Sequence, residues 1–73
     1  MFIHTFENIR PGKKEAIKQV VAEAHGDPFD HPTIPDAVCF RSKKDRNHQD
    51  IKLIWARADS ISPDVKLTTA SEE

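Results

Sequence analysis

The sequence predicts an α+β fold with the element order β-α-β-β, in which one helix packs on a small mixed sheet. Three observations predict this class: strand-like alternation over residues 1–9, a helical apolar stripe from Ala16 to Ala24, and two apolar β-type segments, 37–43 and 51–58, joined by a polar turn. A helix that joins two strands of one sheet crosses over with a right hand and leaves those strands parallel. The first two predicted strands are therefore expected to run parallel.

The length of the chain predicts a marginally stable domain that gains from a partner. The 73 residues suffice for one domain, assigned to residues 1–59 and followed by a polar tail at 60–73 that is mostly disordered. A domain of this size hides only about 60% of the surface that its unfolded chain exposes. The single cysteine, Cys39, excludes an intrachain disulfide and is expected to be a reduced, half-buried thiol. Since small domains without such cross-links often oligomerise, a homodimer is expected.

The positive and negative charges of the chain nearly balance. Eleven basic and twelve acidic residues give a net charge of −1, which provides no argument for binding nucleic acid or an anionic membrane. The first residues lack the basic start and apolar stretch of a signal peptide, and no apolar run is long enough to span a bilayer. The expected location is cytoplasmic.

The first strand and first helix follow from their apolar patterns. His4 shares one strand face with Phe2 and Phe6, and because apolar residues also occupy the other face, this strand is expected inside the sheet. The strand stops before Pro11-Gly12. Gly12 is predicted to cap the helix, and Gly26 is predicted to end it in a left-handed conformation.

The remaining strands are predicted to form a hairpin. Val38 and Phe40 share one face of the first strand, and Trp55 is aligned with Ile51 and Leu53 on the second. The single predicted helix covers only one face of the sheet. The other face is left uncovered and is expected to pack on a second copy of the chain.

Several short segments occur in an order and spacing typical of one superfamily. They are Met1-Phe2-Ile3, Arg10-Pro11-Gly12-Lys13-Lys14-Glu15, Ile34-Pro35-Asp36, Phe40-Arg41-Ser42, the turn with Asp45, and Ile51-Lys52-Leu53-Ile54-Trp55-Ala56. With them the chain resembles the dimeric α/β-barrel superfamily, in particular its antibiotic-biosynthesis-monooxygenase-like branch, from residue 1 to about residue 59. Ala56 departs from the acidic residue that often follows the family's tryptophan.

The resemblance implies a ferredoxin-like protomer, two of which close a barrel around their sheets. Members of ordinary length continue with a second helix and a fourth strand. The sequence pattern predicts neither of these elements here, so a C-terminally shortened half-barrel is expected. The branch includes cofactor-independent oxygenases and heme-degrading enzymes. In the latter, an Asn after the first strand and a Trp on the third strand belong to the active site, and Asn8 and Trp55 occupy similar places in this chain.

Three residues are candidates for catalysis, each with a structural alternative. His4 is the candidate general base, since its ordinary pKa lies near neutrality, but it is also a plausible core histidine. Asn8 is the candidate amide donor or else a turn residue. Trp55 is the candidate stacking wall for a flat aromatic ligand or else part of the core. Phe6, Phe40 and Leu53 are expected to line the same ligand site.

Metal and nucleophile chemistry have weaker support. His25, Asp27, Asp30 and His31 cluster within seven residues, but their spacing matches no compact metal motif, and helix-end and turn roles explain them. Cys39 has no base placed beside it and is predicted to pack in the sheet. The sequence therefore implies no metal and no cofactor.

Two functions remain open. The first is a small dimeric α/β-barrel-like protein that binds a small, flat, apolar ligand, with cofactor-independent monooxygenase activity as an extension. The second is a non-catalytic protein-interaction module or inhibitor. It would use the uncovered sheet face or the basic hairpin turn, with Arg41, Lys43 and Arg46 as its partner-binding residues.

Overall fold

The computed structural model describes residues 1–25 and 27–71. In these residues the chain forms four strands and two helices, in the order β-α-β-β-α-β. The elements are β1 (Phe2–Glu7), α1 (Lys14–His25), β2 (Phe29–Asp30), β3 (Val38–Ser42), α2 (Gln49–Ile61) and β4 (Lys66–Ser71). The α+β class is confirmed, but the order β-α-β-β with a single helix is wrong.

The described strands form one sheet in the order β2-β3-β1-β4, and each neighbouring pair is antiparallel. The expected mixed sheet is therefore wrong, and so is the expected parallel arrangement of the first two predicted strands, which are β1 and β3. The reason lies in the two-residue strand β2, which reverses the direction of the chain before β3. As a result β3 lies between β1 and β2 and runs against both.

The prediction that β1 is an interior strand is confirmed. It pairs with β3 on one side and with β4 on the other. Phe6 is fully buried opposite Val38 and Leu67, which lie at the same level on the two neighbouring strands. His4 and Phe40 continue this buried face toward the start of β1.

A tight turn, and not a glycine cap, leads into α1. The amide of Lys13 donates to the carbonyl of Arg10 at 3.1 Å, and Gly12 has φ +82°. Proline followed by glycine with positive φ is the signature of a type II turn. The first helical bond, from Ile17 to the Lys13 carbonyl, makes Lys13 the capping position instead of Gly12. The predicted end of the helix at Gly26 lies outside the described residues.

Residues 49–61 form the helix α2, and the predicted strand at 51–58 is wrong. Ile51, Ile54 and Ala58 are its buried residues and follow helical spacing. His48 caps the helix, because its side chain accepts a hydrogen bond from the amide of Asp50. The segment has apolar residues on several sides, so a period of two over Ile51, Leu53 and Trp55 resembled a strand.

The stretch expected to be a disordered tail contains β4, which pairs with β1 from Lys66 to Ser71. Leu67 is its one buried residue and Thr69 is half-buried. The polar composition of β4 resembles that of a disordered tail, because only one of its residues is buried. The strand forms because its backbone pairs with β1. With α2 and β4 the chain contains the second helix and the fourth strand that the sequence reading did not find.

The core lies between the two helices and one face of the sheet. Its buried members come from every long element and are Phe6, Ile9, Ile17, Val20, Val21, Val38, Phe40, Ile51, Ile54, Ala58, Val65 and Leu67. Neither α1 nor α2, the helices of the described chain, is long and apolar enough to cross a membrane.

Candidate functional site

His4 is a buried core residue with both ring nitrogens in hydrogen bonds. Nε2 lies 2.8 Å from the carbonyl oxygen of Lys44, and Nδ1 lies 2.9 Å from the hydroxyl of Thr69. A carbonyl only accepts, so Nε2 donates, and in the neutral ring Nδ1 accepts from the threonine. The ring lies between Phe2 and Phe40, with centroids 6.2 and 5.0 Å away. These contacts tie β1 to β4 and to the loop that precedes α2.

Asn8 is an exposed residue at the end of β1 and has φ 62°. Its Nδ2 donates to the carbonyl oxygen of Asp64 at 3.0 Å, and Asp64 has φ 73°. Asparagine is among the few residues that adopt this left-handed region at moderate cost. The amide of Asn8 thus joins two tight turns.

Trp55 lies on α2 and is half-buried against the core, so its predicted place on a strand is wrong. The guanidinium of Arg46 lies over its ring, 5.9 Å from the centroid. Trp55, Lys52, Asp59 and Val65 line a shallow surface recess together with Ala56. The indole is therefore accessible on the outer side of α2.

The three candidate catalytic residues lie in three different surroundings. His4 is in the core, Asn8 is in a surface turn, and Trp55 is on the outside of α2. The three candidate ligand residues are also separated, because Phe6 and Phe40 are fully buried whereas Leu53 is 56% exposed.

The basic residues chosen as a partner surface do not form a hairpin turn. Residues 43–48 connect β3 to α2 instead of joining two strands. Arg41 extends over the ring of Phe29 at 4.7 Å on the sheet, whereas Arg46 covers Trp55. Lys43 is exposed between them.

Asp30 and His31, two members of the predicted acidic and histidine cluster, have structural partners. Asp30 lies 2.8 Å from Nζ of Lys18 and 3.1 Å from Nζ of Lys14. The hydrogen bond from Lys18 lowers the pKa of Asp30, and Asp30 in turn raises the pKa of Lys18. Nδ1 of His31 accepts from the amides of Thr33 and Ile34. Within the part of the chain that the structure describes, which does not include the His25 side chain, no group of three or more His, Cys, Asp or Glu residues is placed to hold a metal ion.

A groove, called here the α1–α2 groove, lies between α1 and α2. Its volume is about 740 Å³, and its lining residues are Val20, Ala24, Lys44, Asp50, Leu53, Ile54, Ala56, Arg57, Ser60 and Ile61. Ion pairs border it: Lys44 with Asp50, and Arg57 with Glu23 across the two helices at 3.1 Å. Of the residues that line this groove, only Leu53 is a candidate from the sequence. The groove exists because residues 49–61 form a helix, which the sequence analysis does not predict.

The face of the sheet that points away from both helices, called here the open sheet face, is partly apolar. Cys39 and Thr5 are buried on it side by side, with Sγ and Oγ1 3.3 Å apart. Ile3 and Phe29 are half-buried on the same face, and the Arg41 side chain shields Phe29. The expectation that a second copy packs on this face stays a prediction.

Comparison with protein-family models, with curated proteins and with solved structures finds no match to this chain. The resemblance to the dimeric α/β-barrel superfamily therefore depends on the short segments quoted above and stays a prediction.

Proposed function

We propose that the chain is a small, non-catalytic protein-interaction module whose α1–α2 groove receives the apolar face of an amphipathic helix from a partner protein. The observation that carries the proposal is Leu53, which is 56% exposed in the middle of α2 at the side of a groove of about 740 Å³. Full burial of a leucine side chain stabilises by about 1.5–3 kcal/mol. A leucine exposed beside an apolar recess is well suited to be the anchor of an interface.

The shape and charge of the groove favour a helix as its occupant. The 13 residues of α2 span about 19 Å, which matches about three turns of a second helix laid alongside. Val20, Ala24 and Ile54 offer apolar contacts along the floor. The ion pairs at the border present both signs of charge, which complements the polar flanks of an amphipathic helix.

The surroundings of the candidate catalytic residues support a binding function over catalysis. The ring nitrogens of His4 form hydrogen bonds with the carbonyl of Lys44 and the hydroxyl of Thr69, and the side-chain amide of Asn8 donates to the carbonyl of Asp64. A general base needs a nitrogen within reach of its substrate. The buried ring of His4 offers none on the surface.

A finer fold class is part of the proposal. The order β-α-β-β-α-β is that of a ferredoxin-like fold. It supports kinship with the dimeric α/β-barrel superfamily, because α2 and β4 supply the elements that the family's members of ordinary length contain.

The proposal can be tested by selecting peptides from a displayed random library against the full chain. We expect enrichment of peptides with apolar residues at helical spacing. Isotope-labelled protein should then show amide shift changes at Leu53, Arg57 and Val20 when such a peptide is added. Absence of enrichment, or shift changes confined to other surfaces, would contradict the proposal.

A matched pair of variants assigns the binding to the groove. Leu53→Asp places a charge in the groove and is expected to weaken a selected peptide by at least about tenfold. Ala22→Asp is the control, because Ala22 is an exposed helical residue on α1 that does not line the groove. Equal loss of affinity in both variants would indicate a general effect of charge or of folding and would overturn the assignment.

A second candidate function is binding of a small, flat, apolar ligand in the same groove. The volume of about 740 Å³ favours it, because small-molecule sites span about 300–1,000 Å³. Titration with a quinol and with heme, followed by amide shifts, tests this function separately. Saturable shifts at Leu53 and Ile54, in a chain that enriches no helical peptide, would select the small-ligand function over the helix-binding one.

A further inference from the structure

The two outer strands of the described sheet differ in how well they are protected from pairing. β2 has only two residues and is flanked by Pro28 and Pro32. Proline has no amide hydrogen and blocks the addition of a further strand. β4 has six residues, contains no proline, and pairs with β1 on one side only among the described strands. Alternate residues of an outer strand direct their N–H and C=O groups away from the sheet, so β4 presents an unprotected edge.

The outer side of α2 has a self-complementary charge pattern, and the residue just before β4 borders it. Lys52, Trp55 and Asp59, called here the Trp55 flank, line one recess with Val65, the residue immediately before β4. Lys52 and Asp59 are exposed and lie on either side of the half-buried Trp55. When two identical helices pack antiparallel, the positive end of one such flank meets the negative end of the other.

The geometry of the edge and the flank is compatible with one two-fold axis. The midpoint between Lys52 and Asp59 lies about 8 Å before the end of α2, at about 1.5 Å per residue. Thr68, near the middle of β4, lies about 7 Å beyond the first residue of the strand. Since α2 and β4 are joined by a short turn, the two midpoints lie at similar distances from that turn.

We propose that two copies of the chain form a dimer in which β4 pairs antiparallel with the partner's β4 and the two Trp55 flanks pack on each other. Lys52 then faces the partner's Asp59, twice by symmetry. With Thr68 on the axis, Lys66 lies opposite the partner's Ala70, so no like charges meet along the paired strands. This interface does not use the α1–α2 groove, leaves most of the open sheet face uncovered and is independent of the proposed function.

Charge reversal tests the pairing directly. Sedimentation velocity over a dilution series of the full chain is expected to show a reversible dimer. Lys52→Asp and Asp59→Lys each place like charges together and should raise the dimer dissociation constant by at least about tenfold. The double variant restores both pairs and should recover the original constant to within about threefold. A monomer at every concentration, or a double variant that stays dissociated, overturns the proposal.

One further variant separates this interface from the alternative. Ile3→Asp alters the open sheet face and is expected to leave the dimer intact. Loss of the dimer in Ile3→Asp alone would assign dimerisation to the open sheet face and overturn the proposal. Far-ultraviolet circular dichroism establishes that each variant is folded.

Tryptophan emission gives a second readout that depends on the position of the interface. Trp55 is the only tryptophan of the chain, so its emission reports on the flank alone. Dimerisation should shift the emission to shorter wavelength in step with the mass measured by sedimentation, because the indole leaves water. A dimer that forms without any change in emission contradicts burial of the Trp55 flank.

Discussion

Asn8 and Asp64 both hold left-handed backbone conformations, and the side-chain amide of Asn8 donates to the carbonyl oxygen of Asp64 at 3.0 Å. One residue follows β1 and the other precedes β4, so the bond fastens the ends of two paired strands. An ion pair between Arg10 and Asp64, 3.7 Å apart, spans the same two turns. The side-chain amide of Asn8 therefore connects the turn after β1 to the turn before β4.

Replacing Asn8 tests how much its hydrogen bond to Asp64 contributes to stability. Asn8→Ala removes the hydrogen bond but keeps a β-carbon in the left-handed region, now without a compensating side-chain contact, so it should lower the free energy of unfolding by about 1–2 kcal/mol. Asn8→Gly removes the bond but relieves the strain and should cost less. Urea denaturation measures both. Equal losses for alanine and glycine would show that backbone conformation plays no part.

His4 should be a stability residue. His4→Phe keeps an aromatic ring between Phe2 and Phe40 but deprives the Lys44 carbonyl and the Thr69 hydroxyl of their partner, so it should cost about 1–3 kcal/mol. In a double-mutant cycle with Thr69→Val, the two losses should be less than additive, because both variants remove the same bond. Strict additivity would mean that the His4–Thr69 bond does not contribute.

The cluster of Asp30 with Lys14 and Lys18 should make the free energy of unfolding decrease as the pH falls into the acid range. The pKa of Asp30 lies below its ordinary value of 3.8, so its contribution is complete above that value and is lost as the pH falls through the lowered pKa. The pKa of Lys18 lies above 10.5, so its contribution is complete below that value and is lost as the pH rises beyond it.

Denaturation of Asp30→Asn against the parent chain measures this dependence. The variant should be slightly less stable at neutral pH, and the difference should vanish in acid once the carboxylate of the parent is protonated. The effect is small because the pair is exposed. Asp27→Asn serves as a control at another exposed carboxylate. A difference between parent and Asp30→Asn that persists unchanged in strong acid would contradict the prediction.

Cys39 should be unreactive until the sheet opens. Its thiol is 1% exposed and lies 3.3 Å from the hydroxyl of Thr5. Labelling with an aromatic disulfide reagent should therefore be at least roughly a hundredfold slower in the native chain than in the unfolded chain, because it needs an opening reaction. A rate near that of the unfolded chain would show that the open sheet face is loosely packed around Cys39.

The first half of the fold could be read from local pattern, and the second half could not. Alternation around His4 and the stripe from Ala16 to Ala24 each fit one period, and β1 and α1 formed where expected. In residues 51–58 the apolar residues fit both periods. The helical signal is the i, i+3, i+7 spacing of Ile51, Ile54 and Ala58, together with an N-cap from His48, which is an uncommon capping residue.

The predicted strand at 51–58 is also the basis of the candidate site. On a strand, Trp55 would line one pocket with His4 and Asn8. On a helix, Trp55 turns outward and Leu53 borders the α1–α2 groove instead. The local sequence of residues 66–71 does not predict β4. This strand forms because it pairs with β1, which lies far away along the chain.

The position of β1 between β3 and β4 has a consequence for the order of folding. His4 is bonded to Thr69, 65 residues further along the chain, whereas the turns of α1 and α2 form from neighbours. Contacts of such high sequence separation close late and slow the search for the native state. During synthesis β1 is made before both of its neighbours, β3 and β4, and β4 is made last of the three. Until β4 pairs with it, β1 has an open edge that can pair wrongly with other chains.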